Sequence, residues 1–126
     1  MAEPPFDFDT LTKRGVPFRR FDAGEKIFLE DEIGDCMFVV RSGNVEVITF
    51  GTMLENIGPG GMFGEMALIE SLPRSAAAIA TAPAEVAVID KPTFVSLVRE
   101  DPDFPFRLMR LLANRIRRMG ATRAIE

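Results

Sequence analysis

Short apolar runs separated by turn residues make up the chain from residue 17 to residue 90. Val45, Val47 and Thr49 alternate with their neighbours, which is the period of a strand with two different faces. The Gly-Pro-Gly-Gly stretch at 58–61 must be a loop. Many short strands separated by glycine turns favour an antiparallel barrel or jelly roll. The predicted strands are Lys26–Phe28, Cys36–Val40, Val45–Thr49, Met53–Ile57, Ser75–Ala80 and Glu85–Ile89.

Two helices are predicted in the remaining residues, 91–126. Asp90 is a suitable N-cap and Pro92 fits the first turn of the first helix. Pro102 and Pro105 separate this short helix from a longer one, and Gly120 is expected to weaken or end the longer helix. Apolar residues of the longer helix recur at helical spacing and form one stripe. The stripe residues are Met109, Leu112, Ile116 and Met119.

The residue types present exclude several kinds of chemistry. The 126 residues contain no histidine and one cysteine, Cys36, so a transition-metal site is not expected and Ser-His or Cys-His nucleophile pairs are ruled out. This argues against a metal-dependent enzyme on a cupin-type barrel, which has a similar strand pattern. No secretory leader follows Met1, and no stretch reaches the roughly 20 apolar residues of a membrane helix. The sequence predicts a cytoplasmic protein in which Cys36 is a buried strand residue, with a reactive thiol as the alternative.

The net charge of −4 is unevenly distributed. Residues 104–125 contain six arginines and no acidic residue, so this segment carries +6 and the remainder carries −10. One interpretation is a solvated helix face, and the other is a surface for an acidic protein partner or for self-association through the apolar stripe. Direct DNA binding is not expected, because no recognition helix follows and the pI is about 4.9.

The stretch at 63–76 has the residue types of a site for a phosphorylated sugar. Gly64 lets the backbone approach an anion, and a helical turn starting near Glu65 would present free amides to it. Arg74 can hold a phosphate with two parallel hydrogen bonds, and Ser75 adds an amide and a hydroxyl. The Glu65 carboxylate suits a ribose hydroxyl. On spacing alone, an ordinary surface turn with a Glu–Arg ion pair remains the alternative.

The order and spacing of this stretch closely resemble the phosphate-binding cassette of cyclic nucleotide-binding domains. That family has Gly-Glu, a hydrophobic residue and Ala-Leu, then a short spacer, Pro-Arg and a small residue. This chain has the same order at 64–68 and 73–76, with four spacer residues between. The Gly34-Asp35 step and the two C-terminal helices also match. The resemblance implies a mainly β fold: an eight-stranded antiparallel β-roll, jelly-roll-like, with a short phosphate-binding helix and two C-terminal helices.

The resemblance also implies a domain organisation. The whole chain, 1–126, would be a single cyclic nucleotide-binding domain. A short N-terminal segment would occupy 1–16, the β-roll 17–90 with its cassette at 63–76, and the C-terminal helices 91–126.

Each cassette residue takes a role from the resemblance. Glu65 would accept a hydrogen bond from the ribose 2′-hydroxyl, and Arg74 would pair with the cyclic phosphate. By chain distance, Thr122 and Arg123 fall where catabolite-activator relatives present residues to the base, so they are expected base contacts. The residues implied to add backbone or hydroxyl contacts are Gly64, Met66, Ala67 and Ser75.

The function implied is that of a regulatory sensor that binds a cyclic purine nucleotide and does no chemistry on it. Some cGMP-preferring members have Thr directly after the cassette arginine, and Ala at that position goes with cAMP. Ser75 is intermediate between these two residue types, so cAMP is favoured and cGMP stays open. No metal or other cofactor is expected. Binding would move the C-terminal helix and signal to a separate protein, since the chain ends directly after that helix. The alternative is an interaction or dimerisation module that keeps the fold without the nucleotide.

Overall fold

The computed structural model describes the backbone of residues 7–49 and 52–125, and the side chains of residues 7–49 and 55–118. The chain divides into two compact units, Met1–Lys91 and Pro92–Glu126. The first unit holds all the strands described and the second holds most of the C-terminal helical segment. The single domain expected over 1–126 stays a prediction.

The first unit is a β-roll of two four-stranded antiparallel sheets. One sheet has the order β1-β8-β3-β6 and the other has the order β2-β7-β4-β5. A short helix, α1 (Phe8–Lys13), precedes the strands, and another, α2 (Met66–Ile69), lies between β6 and β7. The strands are β1 (Phe18–Phe21), β2 (Lys26–Phe28), β3 (Cys36–Ser42), β4 (Val45–Thr49), β5 (Thr52–Ile57), β6 (Met62–Phe63), β7 (Ala77–Ala80) and β8 (Ala84–Asp90).

The predicted fold class is confirmed, including the short cassette helix and the two C-terminal helices. All six strands placed from the sequence are present, with ends that differ by up to two residues. Two strands were not located from the sequence pattern. Strand β1 carries two consecutive exposed arginines, Arg19 and Arg20, which break its alternation, and β6 has only two residues.

Apolar side chains from both sheets fill the interior of the roll. Strand β3 is buried on both faces, because Met37, Phe38, Val39 and Val40 are each at most 2% exposed. Its pairing with β8 aligns Phe38 with Val88, and its pairing with β6 aligns Phe38 with Phe63. Strand β3 therefore occupies an inner position in its sheet, where it pairs with β8 on one side and β6 on the other.

The β3–β4 turn shows why one glycine is required. Gly43 has a φ of +88°, and a Cβ atom there would lie 2.2 Å from the Pro83 carbonyl oxygen. Both the left-handed backbone and the close approach exclude a side chain. The turn predicted around this glycine therefore depends on its neighbours across the roll as well as on local conformation.

The C-terminal unit contains α3 (Lys91–Glu100) and α4 (Asp103–Ile125). The rings of Phe94 and Phe104 meet edge to face at 5.8 Å between centroids. Gly120, which was expected to weaken or end the longer helix, does not end it, because α4 continues to Ile125. A single helical glycine costs only about 1 kcal/mol, which the flanking hydrogen bonds can outweigh.

Of the four stripe residues predicted on α4, two are exposed, Leu112 is half-buried, and the side chain of Met119 lies outside the described residues. Met109 and Ile116 are 53% and 68% exposed, whereas the buried residues are Phe104 and Leu108. Phe106 is also exposed, at 61%. Within the described part of the chain, no helix has the length and apolarity that crossing a membrane would require.

Candidate functional site: a buried arginine beside the cassette

The cassette begins at strand β6, which is the edge strand of its sheet. Strand β6 pairs with β3 and is followed by Gly64, whose φ of +79° turns the chain away from the sheet. Glu65 then occupies the N-cap of α2 and its carbonyl accepts the first helical hydrogen bonds, from Leu68 and Ile69 at 3.0 Å. Amides in the first turn of a helix have no acceptor within that helix, and in α2 these include the amides of Met66 and Ala67.

Arg74 extends into the space between the cassette and β3. Its guanidinium is held by two short hydrogen bonds: Nη1 donates to the Gly64 carbonyl oxygen, and Nη2 donates to the Cys36 carbonyl oxygen, both at 2.7 Å. Nη2 also lies 3.8 Å from the Cys36 sulfur. Arg74 is only 5% exposed. The side chain that precedes β7 in sequence therefore joins the ends of β6 and β3.

Aromatic rings lie against this guanidinium. The Arg74 Cζ atom is 4.2 Å from the centroid of Phe28 and 5.6 Å from that of Phe38. Phe38 in turn stacks on Phe63 at 5.1 Å. A cation close to an aromatic face is attracted by the ring quadrupole, and the attraction grows where water is excluded. The aromatic interior of the roll thus forms one wall of the arginine site.

Burial affects both ionisable groups at this point. It lowers the pKa of the Arg74 guanidinium, while Cys36, Asp35 and Glu32 act in the opposite direction. Burial raises the pKa of the Cys36 thiol, the positive charge of Arg74 opposes that rise, and Asp35 adds to it. Arginine keeps its charge in proteins because its unperturbed pKa is so high, so a fixed cation sits beside a neutral thiol.

Glu65 is also an interior residue, with 1% of its surface exposed. Its Oε2 atom is buried and receives no hydrogen bond from the described residues, although Glu65 takes part in other interactions. The burial of Glu65 and Arg74 rules out the alternative of an ordinary surface turn with an exposed ion pair. Two side chains of opposite formal charge are held inside the roll at the cassette.

The comparisons with known proteins identify the family. The family described as "Cyclic nucleotide-binding domain" matches residues 18–101, which is two thirds of the chain. The chain belongs to the cyclic nucleotide-binding domain family. The cyclic nucleotide-binding domain accounts for the roll, the cassette and α3 together, because the match extends from β1 to the end of α3.

Two curated relatives of this cyclic nucleotide-binding domain are a kinase regulatory subunit and a cyclic AMP receptor protein. The chain is 41% identical over 76 residues to the cAMP-dependent protein kinase regulatory subunit of Yarrowia lipolytica, covering 60% of this chain and 20% of that protein. It is 33% identical over 106 residues to the cyclic AMP receptor protein of Thermus thermophilus, covering 79% of this chain and 48% of that protein. The chain thus spans less than half the length of either curated relative.

A solved structure shares the fold closely. The crystal structure of Thermus thermophilus catabolite activator protein matches with a TM-score of 0.80 and 29% identity, covering 93% of this chain and 57% of that chain. This likeness covers more of the chain than the family match does. The kinship to catabolite-activator-type and kinase-regulatory-type domains implied by the cassette residues is confirmed.

The structure of the domain brings two of the expected ligand residues into contact and leaves the side chains of two others exposed. Gly64 and Arg74 are in direct contact, and Ala67 is buried on the inner side of α2. Met66 is 41% exposed, and Ser75 is exposed with its carbonyl accepting a 3.0 Å hydrogen bond from the Thr49 hydroxyl. The expected base contacts, Thr122 and Arg123, lie outside the residues whose side chains are described.

Several residues of the domain that shape the arginine site were not singled out from the sequence. Phe28 and Phe38 have only the pattern of strand residues, and the Cys36 carbonyl is a backbone group that no motif identifies. Gly34 was noted only as part of a matching step, yet it packs against Arg74. Among the described residues, no cluster of three or more Cys, Asp or Glu residues could hold a metal ion.

Proposed function

We propose that this domain binds a cyclic purine nucleotide, with cAMP favoured over cGMP, and acts as a non-catalytic sensor. The nucleotide is the ligand, and no metal or other cofactor takes part. Binding changes the position or stability of the C-terminal helix α4, which passes the signal to a separate protein. The cytoplasm is the proposed location, and a single cysteine, which cannot form an internal disulfide, is compatible with it.

The observation that carries the proposal is the environment of Arg74. A buried guanidinium is held by two carbonyl oxygens, which are neutral, while the Asp35 and Glu32 carboxylates act on its charge only through space. A buried charge is costly unless an opposite charge or a strong hydrogen-bond network offsets it. Guanidinium has five donors in a planar fork, so donors remain for an anion beyond the two used here. A phosphate is the anion that this geometry suits best.

A cyclic phosphate on a ribose also explains the neighbouring residues. Gly64 brings the cassette backbone next to Arg74, and the buried Glu65 carboxyl group at the start of α2 suits a sugar hydroxyl. Both relatives named above are described as cAMP-dependent or cyclic AMP proteins. Hydrogen bonds to charged groups contribute about 1.5–3 kcal/mol each, and micromolar binding needs about 8 kcal/mol. We expect low-micromolar or tighter affinity for cAMP.

Titration calorimetry tests the proposal on refolded, nucleotide-stripped protein. Wild-type protein is titrated with cAMP, with cGMP and with AMP, which lacks the cyclic phosphate. Arg74→Ala should weaken cAMP binding by about 100-fold or more, because two charge-assisted hydrogen bonds are lost. Arg20→Ala is the matched control, since its side chain is 88% exposed and pairs with Glu85 on the surface. It should bind cAMP as the wild type does.

Two outcomes would overturn the proposal. Folded wild-type protein that binds neither cyclic nucleotide would favour the interaction or dimerisation module that keeps the fold alone. Equal affinity for cAMP and AMP would remove the cyclic phosphate from the recognition. Conversion of cAMP to AMP during prolonged incubation would contradict the non-catalytic part.

The helix α4 is the proposed output element because it is charged and partly apolar on its exposed surface. It contains six arginines, and Phe106, Met109 and Ile116 are each more than half exposed. An acidic protein effector suits this surface, and a second copy of the chain is the other candidate partner. Amide hydrogen exchange in residues 106–123 should slow when cAMP saturates the site. Unchanged exchange would remove α4 from the signalling step.

A further inference from the structure

The segment between β2 and β3 lies directly against Arg74. The Asp31 amide donates to the Arg74 carbonyl oxygen at 2.8 Å, and the Arg74 amide donates to the Glu32 carbonyl oxygen at 2.7 Å. Asp31 adopts a left-handed φ of +71°, which lets its backbone turn towards Arg74. The backbone of Arg74 is therefore fixed by residues about 40 positions earlier in the chain.

Gly34, in the same segment, packs on the guanidinium itself. A Cβ atom built on Gly34 would lie 2.3 Å from Arg74 Nε, 2.4 Å from Cζ and 2.8 Å from Nη2. Real Cβ atoms do not approach other atoms so closely. The φ of Gly34 lies outside the left-handed region, so local backbone conformation does not call for glycine here. The space taken by the Arg74 side chain is the feature that does.

We propose that Gly34 is a positioning residue that sets the orientation of the Arg74 guanidinium towards the nucleotide phosphate. The inference rests on the proposed function for its ligand and adds a residue to the site. Gly34 leaves room on one side of the guanidinium, the Gly64 and Cys36 carbonyls fix its edge, and Phe28 backs its face. Arg74 is thus constrained from several directions.

The steric conflict in Gly34→Ala falls on the end of a flexible side chain. All three close atoms belong to the Arg74 guanidinium and none to backbone. The guanidinium must move by roughly 1 Å to restore ordinary contact distance, which lengthens its 2.7 Å hydrogen bonds beyond useful strength. The three nearest atoms are thus all at the end of one flexible side chain, so the variant should fold while Arg74 points elsewhere.

The test compares Gly34→Ala with Gly58→Ala, using cAMP as the probe. Gly58 is the matched control because a Cβ atom there meets nothing within 4 Å and its φ is ordinary. Gly34→Ala should weaken cAMP binding about tenfold or more, which corresponds to the loss of one charge-assisted hydrogen bond. Gly58→Ala should leave the affinity unchanged. In an Arg74→Ala background, Gly34→Ala should cause no further loss, because the guanidinium it displaces is gone.

A spectroscopic measurement tests the positioning without any nucleotide. The Arg74 Cζ atom lies 4.2 Å from the centroid of the Phe28 ring, so the ring current should shift the proton resonance of the adjoining Nε–H group upfield. Gly34→Ala should move that resonance towards the exposed-arginine position, and Gly58→Ala should not. Full wild-type affinity in Gly34→Ala, or an unmoved Arg74 resonance, would overturn the inference. Wild-type protein that fails to bind cAMP would refute the proposed function, while the resonance would still decide the role of Gly34.

Discussion

Two regions buried in the same β-roll differ in the kind of contact that holds them. The aromatic interior, formed by Phe28, Phe38 and Phe63, has ring centroids 5.1 to 6.0 Å apart and no directional bonds. The arginine site beside it holds Arg74 through two 2.7 Å hydrogen bonds and close approaches at glycines. Apolar packing tolerates small shifts, whereas a charge-assisted hydrogen bond weakens steeply when its geometry changes. The interior should therefore govern stability, and the arginine site should govern ligand binding.

The largest expected effect is on stability, in the interior. Phe63 is completely buried, so Phe63→Ala leaves a cavity and should lower the free energy of unfolding by about 3–5 kcal/mol. Phe106→Ala is the control, because Phe106 is 61% exposed and should change that free energy by less than about 0.5 kcal/mol. Urea unfolding followed by circular dichroism measures both. Similar losses in the two variants would show that the interior has no special role.

The next effect is on binding, at the cassette. Glu65→Gln keeps the shape of a side chain that is 1% exposed but replaces its carboxyl group by an amide. If the carboxyl group accepts from the ribose, cAMP affinity should fall about 10- to 100-fold, which is the range for a hydrogen bond to a charged group. The free energy of unfolding should change by less than about 1 kcal/mol, since removing a buried charge offsets the lost contact.

Phe63 and Glu65 are only two residues apart in sequence, but they belong to different regions. Comparing Phe63→Ala with Glu65→Gln therefore separates an effect on stability from an effect on cAMP binding. Calorimetry with cAMP and urea unfolding are run on both variants under conditions where each remains folded. A Glu65→Gln variant that loses stability but keeps its affinity would reverse the division of roles.

The two regions also differ in how far the sequence could predict them. The buried run in β3 is apolar at every position from Met37 to Val40, so composition alone locates the strand. Strand β1 was not located because Arg19 and Arg20 are consecutive and exposed. Alternating patterns and apolar runs identify a strand through the burial of its side chains. They do not identify a short edge strand whose side chains are charged and exposed.

The arginine site could be predicted only in part. Resemblance to the family singled out Gly64, Glu65 and Arg74, and the structure buries both charged residues. Besides the Gly64 carbonyl within the cassette, Arg74 is contacted by Gly34 and by the Cys36 carbonyl, which lie about 40 residues away in sequence. Such partners meet only when β2, β3 and β6 are assembled, and a backbone carbonyl has no residue type to reveal it. Spacing along one cassette therefore cannot identify them.

A smaller effect is expected where the two regions meet. Phe28 stacks in the interior and also lies 4.2 Å from the Arg74 Cζ atom. Phe28→Leu keeps an apolar side chain but removes the aromatic face, a loss of about 0.5–2 kcal/mol for a cation–π contact. Affinity for cAMP should fall roughly 2- to 30-fold through poorer orientation of Arg74. Calorimetry measures this change.

Phe18→Leu provides the control for this variant. Phe18 also lies under an arginine, with Arg41 Cζ 4.9 Å from its ring, but Arg41 is on the surface of the roll. Its loss should leave cAMP affinity unchanged. Equal cAMP affinities for Phe28→Leu and wild type would show that Phe28 belongs to the interior alone and does not orient Arg74.

The smallest effect concerns Cys36, whose side chain touches Arg74 only weakly. Cys36→Ser should change cAMP affinity less than about twofold, because the backbone carbonyl makes the strong bond to Arg74.

The pKa of the Cys36 thiol is raised by burial, so the folded state holds its proton above the ordinary value of 9.0, where the unfolded chain loses it. Stability should therefore be independent of this group below that pH and should fall as pH rises towards the folded pKa. Urea unfolding at pH 8 and pH 10 should show a steeper loss for wild type than for Cys36→Ser, and parallel losses would mean that burial does not hold the thiol neutral.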